Sequence, residues 1–203
     1  MENSNDYIGS GILELYVLQQ TTLEETREIE LAAQKDPSIK QEILEIELSL
    51  ERYATAQAVE PNPIIKPFLL ATIDYSDRIR CGEQPLSAPL LTENSSPDDF
   101  KVWLDRADMV VPDDFDDVYA KILSATPQAT TALVWIKEMA PQEVHDNEFE
   151  KFLILEGSCT ITIEEEAHHL VPGDYLAIPL HKSHQVTISS KIPCKIILQR
   201  VAA

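Results

Sequence analysis

Only five glycines occur among the 203 residues: Gly9, Gly11, Gly82, Gly157 and Gly173. Neither G-x-G-x-x-G nor G-x-x-x-x-G-K-[ST] can be drawn from them, which excludes the common phosphate-cradling loops. Basic residues are also scarce, 16 against 35 acidic ones, for a net charge of −19. That deficit argues against direct contact with nucleic acid or an anionic membrane, since both reward Lys and Arg. Three cysteines, Cys81, Cys159 and Cys194, are too few and too scattered for a disulfide framework. No stretch approaches the ~20 apolar residues that span a bilayer. The opening MENSNDYIGSG has neither a basic start nor an apolar run of secretory length. A reduced, cytoplasmic location follows as an expectation. The apolar content of 44% is that of a globular protein. The length suits one large domain or two small ones.

The residues that are present divide unevenly. All five histidines, His145, His168, His169, His181 and His184, lie in the last 60 residues. Histidine is the commonest metal ligand and the acid–base residue of neutral pH, so site chemistry is expected at the C-terminal end. Residues 1–80 read as helices. Ile8, Ile12 and Leu15 share one helical face, and Thr22 with Glu25 forms a capping signature. Pro37 opens a further helix, along which Ile39, Ile43, Ile46, Leu50 and Tyr53 recur at alternating spacings of four and three. The segment IIKPFLLATIDYSDRIR predicts a fourth helix, with Pro67 in its first turn.

Residues 81–112, with Gly82, Pro85, Pro89 and Pro97, read as a linker that carries one short helix over 98–109. From about 115 the period changes. VYAKIL, TTALVWI, KFLILEG, CTITIEE, DYLAIPL, HQVTIS and CKIILQRV are short β-type runs separated by turn residues, which predicts an all-β barrel or sandwich over 113–203. His168 and His169 are expected to be exposed in a strand connection, and His181 on a surface turn. Cys159, Cys194, Trp103 and Trp135 are expected in the core.

Strand parity gathers a candidate site. Glu143 and His145 are two residues apart and share a face, and Glu150 shares a parity with Phe152 and Ile154 on the next strand. His184, on a later strand, closes the set. Two imidazoles and two carboxylates turned into one interior suit a divalent first-row metal. The alternative is a metal-free internal hydrogen-bond network.

The same segments resemble the cupin superfamily. His145-x4-Glu150-x6-Gly157 matches the second half of its first motif, and Gly173-x5-Pro179-x4-His184 matches the spacing of its second. The resemblance implies a double-stranded β-barrel (jelly roll) with metal-ligand positions at His145, Glu150 and His184. Glu143 stands where the motif has another histidine, and His181 where it has glycine. Residues 6–58, through SGILELYVL, TLEE, DPSIKQEI and ERYA, resemble the N-terminal domain of anti-sigma factors. A helical domain followed by a cupin barrel is similar to the ChrR-type layout.

The fold class implied is therefore α+β: a short helical bundle over 1–80, a linker over 81–112 and a cupin barrel over 113–203. The function implied is an anti-sigma-like transcriptional regulator with a metal-binding sensor. Zn is the expected metal, with Fe, Mn or Ni as alternatives. An extracytoplasmic-function sigma factor is the expected partner, and a homodimer could form through the barrel. Residues 1–80 contain no His or Cys, so the zinc site of ChrR-type helical domains is absent. Two other readings stand beside this one: a metal-dependent cupin enzyme of the dioxygenase or isomerase type, and a non-catalytic module that binds a small molecule.

Overall fold

The computed structural model describes residues 4–203, with side chains from Tyr7 onward. Residues 1–3, part of the opening segment read for an export signal, lie outside the described residues. The chain divides into two compact units, 1–60 and 61–203.

Among the described residues the first unit holds four helices: α1 (Ser4–Ser10), α2 (Ile12–Val17), α3 (Leu23–Lys35) and α4 (Pro37–Ala56). Gly11, at φ 79°, breaks what the sequence periodicity reads as one helix into α1 and α2. The capping box forms as expected: Glu25 N donates to Thr22 Oγ1 at 3.3 Å, and Thr22 N donates to Glu25 Oε2 at 2.8 Å. Pro37 occupies the first turn of α4, whose N-cap Asp36 accepts from Ser38 N at 2.8 Å. The fully buried core is small: Leu13, Ile29 and Ile39. Of the α4 stripe, Ile39 is buried while Leu50 and Tyr53 are exposed.

The second unit is a double-sheet jelly roll, so the chain as a whole is α+β. Its nine strands are β1 (Val118–Ala125), β2 (Ala129–Ile136), β3 (Met139–Glu143), β4 (Glu148–Glu156), β5 (Cys159–Ile163), β6 (Glu166–Leu170), β7 (Tyr175–Ile178), β8 (His184–Ile188) and β9 (Cys194–Ala202). They form two sheets, ordered β1-β2-β9-β4-β7 and β3-β8-β5-β6, with antiparallel pairing throughout. Between the sheets lies a core that includes Val134, Ile136, Phe152, Ile154, Ile161, Ile196 and Leu198. The second face of the larger sheet is buried too. Leu133, Trp135, Leu153 and Ile197 pack there against Leu91, Phe100, Trp103 and Met109. Burial on both faces explains why TTALVWI and CKIILQRV are apolar without alternation.

Two expected boundaries shift. The fourth helix forms as α5 (Ile65–Arg80), but it packs on β1 and contributes Ala71, Phe68 and Tyr75 to the barrel core. It therefore belongs to the second unit, and the division falls at 60/61 rather than at 80. The segment read as a linker is docked on the barrel. Its expected helix shortens to a 3₁₀ turn (Pro97–Phe100) and α6 (Lys101–Leu104). Leu91 N donates to Gln199 Oε1 at 2.8 Å, Gln199 Nε2 donates to Pro89 O at 3.0 Å, and Lys151 Nζ donates to Leu91 O at 2.9 Å. His168 and His169 also differ from expectation. They lie within the strand β6, where His168 is half-buried and only His169 is exposed. Among the described residues no helix is long and apolar enough to cross a membrane.

Candidate metal centre

The two sheets bring Glu143, His145, Glu150 and His184 to one place between them. Glu143 ends β3 opposite His184 of β8, while Glu150 lies on β4 of the other sheet. His145 sits two residues beyond β3, where its carbonyl accepts from His181 N at 2.9 Å. The spacing of Glu143 and His145 thus works across a strand end, not along a strand. One ligand-type atom from each of the four residues lies within 4.8 Å of every other. That spread is a little over twice the ~2.0–2.2 Å reach of N and O ligands around Zn. Glu150 and His184 are buried; Glu143 and His145 are half-buried. Glu148, the competing acid in the same segment, is exposed and outside the group.

Three features fit a cation. His145 Nε2 is buried without a hydrogen-bond partner, although Glu150 Oε2 lies 3.4 Å away. Buried polar atoms are nearly always satisfied, and an ion at this nitrogen would satisfy it. His184 Nδ1 lies 3.3 Å from the Lys182 carbonyl, which can only accept. A proton on Nδ1 is the tautomer typical of metal-ligating histidine, and an ion at Nε2 would take the place of the proton that Nε2 donates to Glu150. His184 Nε2 lies 2.8 Å from Glu150 Oε2. The donor set, two imidazoles and two carboxylates, suits a borderline divalent ion.

The electrostatics are those of a crowded anionic site. Burial pulls the Glu150 carboxyl up, but the imidazoles of His145 and His184 and the Arg200 guanidinium overcome it and hold it well below the usual carboxylate range. Glu143 is raised, by burial and by the charge of Glu150. His145 is raised by its contact with Glu150. Phe152 packs edge-on against His184, with ring centroids 6.4 Å apart.

Arg200 is the site residue that sequence reasoning missed. It stands directly opposite Glu150 on β9, donates from Nε to Glu150 Oε1 at 2.8 Å, and places Nη2 at 3.4 Å from both oxygens of Glu143. Its signal was parity: Ile196, Leu198 and Arg200 alternate toward the same face, and the first two are core. The cavity beside the cluster holds about 20 Å³, the room of about one water. The other histidine-bearing turn contributes nothing to the group: His181 is exposed and faces Asp146 at 3.1 Å.

Residues 132–199 match the family model of the cupin domain. No curated protein matches the chain. Among solved structures, KdgF from Halomonas sp. is 21% identical over 44% of this chain and 84% of that one, with a TM-score of 0.40. A cupin superfamily protein from Desulfitobacterium hafniense is 22% identical over 46% and 84%, at 0.41. A protein described as a predicted oxalate decarboxylase from Thermotoga maritima is 15% identical over 48% and 97%, at 0.44. With the match over 132–199, the C-terminal half of this chain carries a cupin domain.

Proposed function

We propose that the protein is a cytoplasmic transcriptional regulator of the anti-sigma type, in which a metal held by the cupin domain reports a signal and the helical unit holds a sigma factor. The observation that carries the partner reading is a groove of about 410 Å³ in the helical unit. Ile12, Leu15 and Ile29 line it together with the carboxylates Glu25 and Glu28. An apolar groove edged by acids suits an amphipathic helix with a basic flank. The unit around it carries 13 acids and 4 bases over residues 1–60. That excess would steer a basic, DNA-binding partner toward it. Leu18, Leu31, Leu44 and Leu48 add exposed apolar area that a partner would cover.

Within the barrel, Glu143, His145, Glu150 and His184 would hold the ion, with Zn the best match to the donors. The ion would supply a charge whose presence or loss the surrounding residues register. A cavity of about 20 Å³ leaves no room for an organic substrate, which favours sensing over the turnover expected of a cupin enzyme.

The test is capture of the tagged full-length chain from unstressed cells of its source, with the bound proteins identified by mass spectrometry. Recovery of an extracytoplasmic-function sigma factor is expected. Recovery of metabolic proteins alone, or of nothing, overturns the partner reading. Elemental analysis of the same preparation is expected to show about one divalent metal per chain.

A further inference from the structure

Arg200 brings a fixed positive charge into a group that otherwise looks built for a metal ion. Its guanidinium meets both carboxylates, Glu150 at 2.8 Å and Glu143 at 3.4 Å. Its Cζ lies over the ring of Phe68 on α5, 4.7 Å from the ring centroid. Phe68 and Ile64, at the N-terminal end of α5, line the same small cavity as Glu143, Glu150 and His184. The two ends of α5 are thus held differently. The C-terminal end is tied down by Arg78, which donates to the Ile122 carbonyl and to Glu83. The N-terminal end rests on the cavity through Ile64 and Phe68.

We propose that Arg200 is the resident counter-cation of Glu143 and Glu150, and that it couples the state of this site to the N-terminal half of α5. The proposal rests on the metal reading given above. When the carboxylates turn to a bound divalent ion, Arg200 loses both partners and stands beside a second, larger positive charge. An unpaired buried guanidinium is costly, so it moves outward to solvent. The contact with Phe68 goes with it. The end of α5 nearest the unit boundary then loosens, while the end pinned by Arg78 stays. The outer side of α5 carries Ile65, Leu69 and Ile73, each about half exposed, so a change in this helix alters an apolar surface.

The experiment is amide hydrogen exchange on the full-length chain, first stripped with a chelator and then titrated with Zn²⁺ as the probe. In the wild type, Zn²⁺ is expected to speed exchange of the Leu69–Ile73 amides about tenfold, with those of Asp77–Arg80 unchanged. In Arg200→Met the same amides are expected to exchange fast with and without Zn²⁺. Zn²⁺ should bind this variant about tenfold tighter, because a competing cation is gone. If Arg200→Met fails to fold, Phe68→Leu gives the same decision. Its Zn²⁺ affinity should stay within about twofold of wild type, while α5 exchanges fast in both states. Zn²⁺ binding to the wild type without any change in α5 overturns the coupling and leaves the metal reading intact. Failure of the wild type to bind Zn²⁺ in the titration itself overturns the metal reading, and the coupling falls with it.

Discussion

Glu150 and Arg200 face each other across β4 and β9 as register partners, and Arg200 Nε donates to Glu150 Oε1 at 2.8 Å. The carboxylate is 1% exposed and the guanidinium 20%. One pair thereby joins a ligand-type acid to the cation that balances it. It also ties together two neighbouring interior strands of the larger sheet. Removing either partner leaves the other charge buried.

Substitution Glu150→Gln tests that balance through pH. The folded-state pKa of Glu150 lies below its ordinary value of 4.5. Burial opposes this shift, and the two imidazoles and Arg200 more than offset it. A depressed acid contributes stability that is fully present above its unfolded pKa and is lost as pH falls through the folded one. In chelator, wild type is therefore expected to exceed Glu150→Gln by about 3–5 kcal/mol at pH 7. The gap should narrow steadily as pH falls below about 4.5. Urea denaturation of both proteins at several pH values measures it, and a gap that does not change with pH contradicts the assignment.

His145→Ala addresses the metal. Its Nε2 is the buried nitrogen without a hydrogen-bond partner, so the substitution removes a donor but breaks no hydrogen bond of that atom. Zn²⁺ affinity, measured against a competing chelator, is expected to fall at least about 100-fold. A metal-free hydrogen-bond network predicts that the wild type itself binds no Zn²⁺ in the same competition, so that there is no affinity to lose.

Much of this arrangement was legible in the residues. Thr22 with Glu25, and Pro37, mark helix starts by local chemistry, and both form where they point. Runs rich in Val, Ile and Thr mark seven strands correctly. Two strands escaped, because MAPQE in β3 and EAHHL in β6 carry neither β-branched alternation nor an apolar run. They form because β8 and β5 offer unpaired edges beside them. The grouping of Glu143, His145, Glu150 and His184 was legible because motif spacing is local.

Partnership between distant segments was not legible. The period of IIKPFLLATIDYSDRIR specifies a helix, but nothing in it says that Phe68 and Ala71 pack on the barrel rather than on α4. The proline-rich stretch over 81–112 looks like a linker by composition. Its Leu91, Phe100 and Trp103 are nevertheless the cover of an outer sheet face. The hint lay elsewhere, in strands apolar at both parities, which need a second layer. Arg200 needed the β4–β9 register, which only the folded chain supplies.

The division at 60/61 makes a prediction for truncation. A fragment covering 61–203 keeps α5 on the barrel and should fold with a cooperative thermal transition. A fragment covering 81–203 loses Ile64, Phe68, Ala71 and Tyr75 from the core face they cover. At ~1.5–3 kcal/mol per large buried side chain, several kcal/mol disappear, comparable with the whole stability of a domain. The shorter fragment is expected to aggregate or to melt at least about 10 °C lower. Equal melting of the two fragments would return the boundary to 80.

Gly157→Ala tests the turn that carries the motif glycine between β4 and β5. Gly157 has φ +74°, a region in which a side chain is strained. An added Cβ would also lie 2.8 Å from Ser190 Oγ, 3.0 Å from Cys194 Cα and 3.0 Å from the Pro193 carbonyl. The hydroxyl could rotate away, but the two backbone atoms belong to the chain entering β9 and cannot shift alone. Left-handed strain costs about 1–2 kcal/mol, and overpacking adds about 1–3 kcal/mol. Chemical denaturation should therefore show a loss of roughly 2–5 kcal/mol. Gly173 provides the contrast. Its φ is +96°, but nothing lies within 4 Å of an added Cβ, so Gly173→Ala should cost the strain alone. Equal losses at the two positions would mean that the crowding at Gly157 relaxes freely and that strain alone accounts for both glycines.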